Sequence, residues 1–127
     1  MEIICLDTGV LIEFYRSKLK YKTFLFKLAQ EYQFAVPAIV KYEVLRGDKK
    51  NDVFWISFFD KSKVLSFDDK CSQIASTIYK DLKQKNKLIG TDDILIASTA
   101  IRNNYRLATL NKKDFSRISD LDLITRW

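Results

Sequence analysis

Short apolar, β-prone runs separated by segments of helical period constrain this chain more than any other feature. The runs are "EIICL" (2–6), "FAV" (34–36), "KVL" (63–65), "RLAT" (106–109) and "LDLI" (121–124). Between them, helical spacing predicts helices over 10–15, 21–31, 38–46, 50–59, 68–87 and 92–103. The clearest is 68–87, where Cys71, Ile74, Ala75, Ile78 and Leu82 recur at three- and four-residue intervals with lysines on the other side. Gly90 ends that region, and Thr91 reads as the N-cap of the next helix. Strand and helix alternating in this way predict an α/β fold: a three-layer α/β/α sandwich with a mostly parallel central sheet. At 127 residues, 47% of them hydrophobic, the chain has material for one domain, 1–127.

Absences narrow the chemistry. There is no His, which excludes a Ser-His-Asp or Cys-His nucleophile and most zinc ligand sets. The three glycines, Gly9, Gly47 and Gly90, belong to no phosphate-cradling loop. No apolar run approaches the ~18 residues that span a bilayer, and no secretory leader opens the chain; the expectation is a soluble, unprocessed protein with no membrane partner. Cys5 and Cys71 lie on apolar faces without pairing spacing, as buried thiols of a reducing cytoplasm would. Carboxylates, lysines and arginines remain, the groups that suit oxygen-liganded metal ions and phosphates.

Ligands of open α/β sheets bind beyond the carboxyl ends of the strands, and that rule selects residues. Asp7 stands where "EIICL" stops, either as a cap of the following helix together with Thr8 or as a site acid. Asn111 and Asp114 in "TLNKKDF" follow "RLAT". Glu43 falls between Ile39 and Val40 on the sheet-facing side of its helix. In "TDDILIASTAI", Asp93 lies in the apolar stripe of Ile96, Ala97 and Ala100. Asp92, rotated by roughly 100°, falls beside Thr99 and Asn103 and is expected to face solvent near the positive helix N-terminus. Asp7, Glu43, Asp93 and Asp114 thus converge from separate elements, and such a cluster requires a cation, with Mg²⁺ or Mn²⁺ the choice for an all-oxygen donor set.

Charge suggests the substrate. Lysines and arginines number 22 against 16 acids, net +6, and 22 cations face only 12 acids once the four site acids are set aside. A basic surface around an acidic metal pocket suits metal-assisted cleavage of a phosphodiester.

"IICLDTGVLIEF", "VPAIVKYEVLRG", "GTDDILIASTAI" and "LATLNKKDF" resemble, in order and character, the four acidic motifs of PIN-domain nucleases, and the compact chain is most similar to VapC-type toxin ribonucleases. The resemblance spans nearly the whole sequence. It implies a PIN-like α/β/α sandwich and a Mg²⁺- or Mn²⁺-dependent endoribonuclease acting on RNA, commonly dimeric and held inactive by a cognate antitoxin protein. By motif, Asp7, Glu43, Asp93 and Asp114 become the acidic catalytic and metal-binding set, with Thr8 and Asn111 as polar supports. One position departs: the residue after "LDT" is often polar in this family, frequently Asn, and here it is Gly9.

Several readings stay open. Asn111 and Asp114 could instead satisfy backbone amides in a capped turn. Arg46, Lys49, Lys50, Lys112 and Lys113 flank the acidic motifs and could hold RNA phosphates or simply solvate a face. "DVFWISFFD" (52–60) has scarcely any polar face, so it is either buried within the domain or covered by a second subunit or an antitoxin segment. A haloacid-dehalogenase-like phosphatase would carry a second Asp where Gly9 stands. A non-catalytic PIN-like RNA- or protein-binding module is the remaining alternative, against which the retained acids argue.

Overall fold

The computed structural model describes residues 1–126. Its centre is a five-stranded, wholly parallel sheet in the order β3-β2-β1-β4-β5, formed by β1 (Glu2–Leu6), β2 (Tyr32–Pro37), β3 (Lys63–Leu65), β4 (Leu107–Thr109) and β5 (Leu123–Thr125). Helices cover it, as a parallel sheet requires, because crossovers place them on its faces. Ile4, Cys5 and Leu6 of β1 are accordingly buried although alternate side chains point to opposite faces.

From β1 the chain winds outward through β2 to β3. It then returns across the sheet through α5 (Asp69–Gln84) and α6 (Thr91–Arg102) to place β4 on the other side of β1. The winding reverses between β1 and β4, and such a reversal opens a crevice beyond the strands' carboxyl ends. Register aligns Cys5 with Leu107 and Leu6 with Ala108, so Asp7 and Thr109 emerge side by side at that edge.

The helices follow local signals. α1 (Thr8–Arg16) is capped by Asp7, whose carboxylate accepts from the Thr8 amide. α5 carries the expected stripe of Cys71, Ala75, Ile78 and Leu82, all buried. Its cap Asp68 accepts from the Cys71 amide at 2.9 Å and from Arg102 Nε at 3.3 Å, tying the start of α5 to the end of α6. Each fully buried aliphatic side chain, such as Ile96 or Leu107, contributes roughly 1.5–3 kcal/mol relative to exposure. Cys5 and Cys71 are buried free thiols. No helix among the described residues is long and apolar enough to cross a membrane.

Boundaries differ from expectation where tertiary context overrides propensity. The helix expected over 21–31 is a 3-10 turn, Lys20–Lys22, and a short α2 (Phe24–Ala29), separated by Thr23, whose hydroxyl caps α2. Gly90, not Thr91, is the N-cap of α6, with no side-chain cap bond. The segment at 52–60 becomes α4 (Val53–Lys61), capped by Asp52. It is neither wholly consumed nor wholly free: Trp55 and Phe59 are buried, Phe54 and Phe58 half-buried, while Val53 and Ile56 remain 75% and 60% exposed.

Candidate active site

Asp7 is the fixed point of the site. Its amide donates to the Ala108 carbonyl at 3.0 Å, so the β1–β4 ladder ends at this residue. Its side chain is buried, Oδ1 accepting from the Thr8 amide and Oδ2 from Thr109 Oγ1, both at 2.8 Å. Capping and site membership are therefore one arrangement, since the cap uses only part of the carboxylate's acceptor capacity. Burial pushes the Asp7 carboxyl above the usual range, the two hydrogen bonds pull it back, and the Glu43 charge adds to the rise.

Thr109 was not singled out by sequence. Fully buried at the end of β4, it donates to Asp7 and accepts from the Asn111 amide at 2.9 Å. Its hydroxyl orients the first carboxylate and starts the turn that carries Asn111. The available signal was its place as the last residue of "RLAT", at the same sheet edge as Asp7; pairing with β1 gives that place its meaning.

Glu43 comes from α3 (Ala38–Gly47), which starts directly after β2. Thr8 Oγ1 donates to Glu43 Oε1 at 2.6 Å, and the Glu43 side chain is 15% exposed. Burial raises its carboxyl, Thr8 opposes this, and Asp92 adds to the rise. Arg46 lies one turn further along α3, its Nη2 3.7 Å from Glu43 Oε2 and 3.9 Å from Asp92 Oδ2.

Asp92 faces solvent in part, its side chain 47% exposed, and it also shares Arg46 with Glu43. Thr99, expected on the same polar edge, is instead fully enclosed, as is Ser98, and the Ser98 and Thr99 hydroxyls donate to the Leu95 carbonyl at 2.8 and 2.9 Å. The physical reason is that α6 packs against α5, α3 and the sheet together, so its middle turns are enclosed while its first turn still reaches water.

Asp93 occupies the inward position expected of it. Burial, followed by the charges of Asp7, Asp114 and Asp92, pushes its carboxyl up to about 6. Asp114 sits on α7 (Lys112–Phe115), where Asn111 Nδ2 donates to Asp114 Oδ2 at 3.2 Å. Asn111 is the N-cap of α7, but its side chain makes no cap bond and is spent on Asp114 instead. The structure thus brings Thr8, Thr109 and Asn111 onto the carboxylates of Glu43, Asp7 and Asp114. Gly9 is exposed, and a side chain there would meet open space, so the departure at this position leaves the acids undisturbed.

The basic residues divide. Arg46 and Lys49, with Lys50, line a cleft of about 520 Å³ whose inner end is Thr8 and Glu43. Lys112 and Lys113 are exposed on α7 and do not line it.

Among the described residues, no three carboxylates close on one point tightly enough to enclose an ion by themselves. The donor set fits a cation that keeps most of its water. Mg²⁺ is commonly held by one or two carboxylates, and Asp7 and Asp93, which repel each other across the crevice, are such a pair, with Glu43 and Asp114 beside them.

The sequence pattern of the PIN domain matches residues 4–121. Ribonuclease VapC1 of Methanocaldococcus jannaschii is 34% identical over 122 residues, covering 94% of this chain and 84% of that protein. Ribonuclease VapC1 of Rickettsia felis is 34% identical over 131 residues, covering 96% and 95%. Among solved structures, VapBC2 from Rickettsia felis bound to a DNA fragment from their promoter superposes with a TM-score of 0.79 at 30% identity, covering 98% of this chain and 99% of that one. DNA-bound VapBC from Salmonella typhimurium shares the fold with a TM-score of 0.84 at 22% identity, over 98% of both chains. With the order of elements, the matched span and the identity to these relatives all in agreement, the chain belongs to the PIN-domain family.

Proposed function

We propose that this protein is an endoribonuclease that hydrolyses RNA phosphodiesters with Mg²⁺ or Mn²⁺, the toxin of a toxin-antitoxin pair, built as one nuclease domain. The observation that carries the reading is the set of four carboxylates, delivered by four elements to the switch point of the sheet within a basic chain, with burial and neighbouring charges raising the proton affinity of Asp7, Glu43 and Asp93.

Asp7 and Asp93 would hold the ion, Asp7 with its orientation set by Thr8 and Thr109, and Glu43 and Asp114 would complete the charge around its water shell. A bound Mg²⁺ or Mn²⁺ supplies an activated water and neutralises charge developing on the phosphate. Glu43 Oε2, which Thr8 leaves unengaged and Arg46 approaches at 3.7 Å, would accept a proton from water. Arg46 and Lys49 approach phosphate from the cleft, and Lys112 and Lys113 from α7.

A cognate antitoxin and a second copy of the chain are the protein partners. The relatives solved as VapBC complexes support the first. Exposed Leu45, Val53 and Ile56 on α3 and α4 offer apolar area for either. The compartment is the cytoplasm, where RNA coexists with conditions that keep Cys5 and Cys71 as thiols.

Incubation of purified protein with single-stranded and structured RNA should give cleavage with Mg²⁺ or Mn²⁺ and none in excess EDTA. Undiminished cleavage in EDTA overturns the metal mechanism, and no cleavage with either ion leaves a non-catalytic binding module. The Asp92→Asn variant should keep its rate within about tenfold and its stability within ~1 kcal/mol, because Asp92 lends a half-exposed charge to Arg46 and the helix terminus. A dead Asp92→Asn enzyme in the same cleavage assay would put Asp92 among the metal ligands.

A further inference from the structure

The cleft beside the acids has features that metal binding does not require. Its volume of about 520 Å³ lies within the roughly 300–1,000 Å³ typical of small-ligand sites. Its lining includes apolar Ile12, Val44 and Trp55, the last two only 2% exposed, and the cations Arg16, Arg46, Lys49 and Lys50. The outer wall is a built turn. Asp48 Oδ2 accepts from the Asp52 amide at 2.8 Å, Asp52 Oδ1 from the Phe54 amide at 2.8 Å, and Tyr15 donates its hydroxyl to Asp52 Oδ2. Asn51 takes the left-handed conformation that closes this turn, with φ 50°. A cleft with partly exposed Ile12 and Tyr15, four cations and Thr8 and Glu43 at one end matches one chemical shape: an unpaired nucleotide, its base against Ile12 and Tyr15 and its phosphates on the cations.

We propose that this cleft is a nucleotide subsite of the ribonuclease, holding the unpaired residue of the RNA next to the phosphate that is cut. The proposal rests on the ribonuclease reading above. Charge favours RNA over an acidic or neutral protein segment as occupant, because four cations face only Glu43 and Asp48 along the lining. Continuity with Thr8 and Glu43 puts the occupant within one nucleotide of the acids. Base selection then belongs to Ile12 of the first motif and, outside the acidic motifs, to Tyr15 and the turn at 48–52.

Gly47 provides a clean test. It lines the cleft, its φ is not in the left-handed region, and a Cβ built on it meets nothing within 4 Å. Gly47→Phe should therefore fill the cleft without disturbing the fold. The binding experiment uses metal-free protein in EDTA, titrated separately with AMP, CMP, GMP, UMP and inorganic phosphate, with amide and indole NMR shifts as readout. At least one nucleotide should shift Thr8, Gly47, Lys49 and the Trp55 indole with an affinity about tenfold above that of phosphate, and Gly47→Phe should abolish those shifts while melting like the wild type. In parallel, Gly47→Phe should lower kcat/KM on short RNAs about tenfold or more and flatten the preference for the base beside the cut. Equal affinity for phosphate and nucleotide, or RNA cleavage by Gly47→Phe at the wild-type rate and preference, overturns the subsite while leaving the ribonuclease intact. If no nucleotide shifts these amides, the proposal fails and the cleft is left to a protein segment or a second copy. Nucleotide binding that Gly47→Phe removes, in a protein that cleaves no RNA with either metal, would instead uphold the pocket and overturn the enzyme.

Discussion

Asp93→Asn abolishes metal-dependent RNA cleavage, a loss of at least about 10²-fold, and the metal-free variant melts at a higher temperature than the wild type at neutral pH. Both effects come from one property. Burial first, and then the charges of Asp7, Asp114 and Asp92, raise the Asp93 carboxyl from its ordinary 3.8 to about 6. Between those values the folded chain keeps a proton that the unfolded chain has released. Stability from this group is therefore fully present below 3.8, falls as pH rises through 6, and stays low above it. The full shift would correspond to roughly 3 kcal/mol, but partial exposure screens the charge, and about 1 kcal/mol is expected at neutral pH. Asp7 and Glu43 are raised too and slope the same way, whereas Glu13 and Asp68, held low by hydrogen-bonding partners despite some burial, weaken the fold only as pH falls below the ordinary carboxylate range. Thermal melts in EDTA across pH 4.5 to 7.5 should show wild-type stability falling with pH and Asp93→Asn losing part of that slope. Millimolar Mg²⁺ should raise the wild-type melt and leave the variant unchanged, since binding stabilises only a chain that retains the site. An Asp93→Asn enzyme with wild-type cleavage would remove this residue from the site.

Thr109→Val lowers stability by about 1–3 kcal/mol and cleavage by about 10- to 100-fold although the two side chains have nearly the same shape. Valine cannot donate to Asp7 Oδ2 or accept from the Asn111 amide, so a buried carboxylate oxygen and a half-buried amide both lose their partner. Thr109→Ser keeps the hydroxyl and removes a methyl worth about 0.8 kcal/mol, so it should melt slightly lower and cleave near the wild-type rate. Separation of the two variants identifies Thr109 as a positioning residue for Asp7. Identical rates for valine and serine would show that the hydroxyl does not position the acid.

The acids were legible because each breaks a local pattern. Asp7 ends an apolar strand, Glu43 and Asp93 sit on stripes otherwise occupied by Ile, Val and Ala, and Asp114 follows the last strand of the switch point. Such anomalies can be read one element at a time. Asp92 was placed only in part. The wheel turned Asp93 inward and left the residue before it half-exposed, but it could not show that Asp92 also meets Arg46 of a neighbouring helix. The segment at 52–60 was ambiguous for a related reason: a helix of two and a half turns with scarcely any polar face buries whichever residues the fold presses inward, and the fold chose Trp55 and Phe59.

The sequence by itself determined the parallel α/β architecture, the order of its elements and the positions along them of the four acids. Periodicity, strand endings and the absence of His are local or compositional properties that no packing alters. Only the tertiary structure decided what each acid touches. Thr109 lies 102 residues from the Asp7 it orients and Thr8 lies 35 from Glu43. Arg46 meets Asp92 across two helices, and the cleft exists only because α1, α3 and the turn before α4 enclose a common volume. Those contacts depend on strand register and on helices docked against a sheet, quantities set by the simultaneous packing of the whole chain and not by the spacing of residues along it.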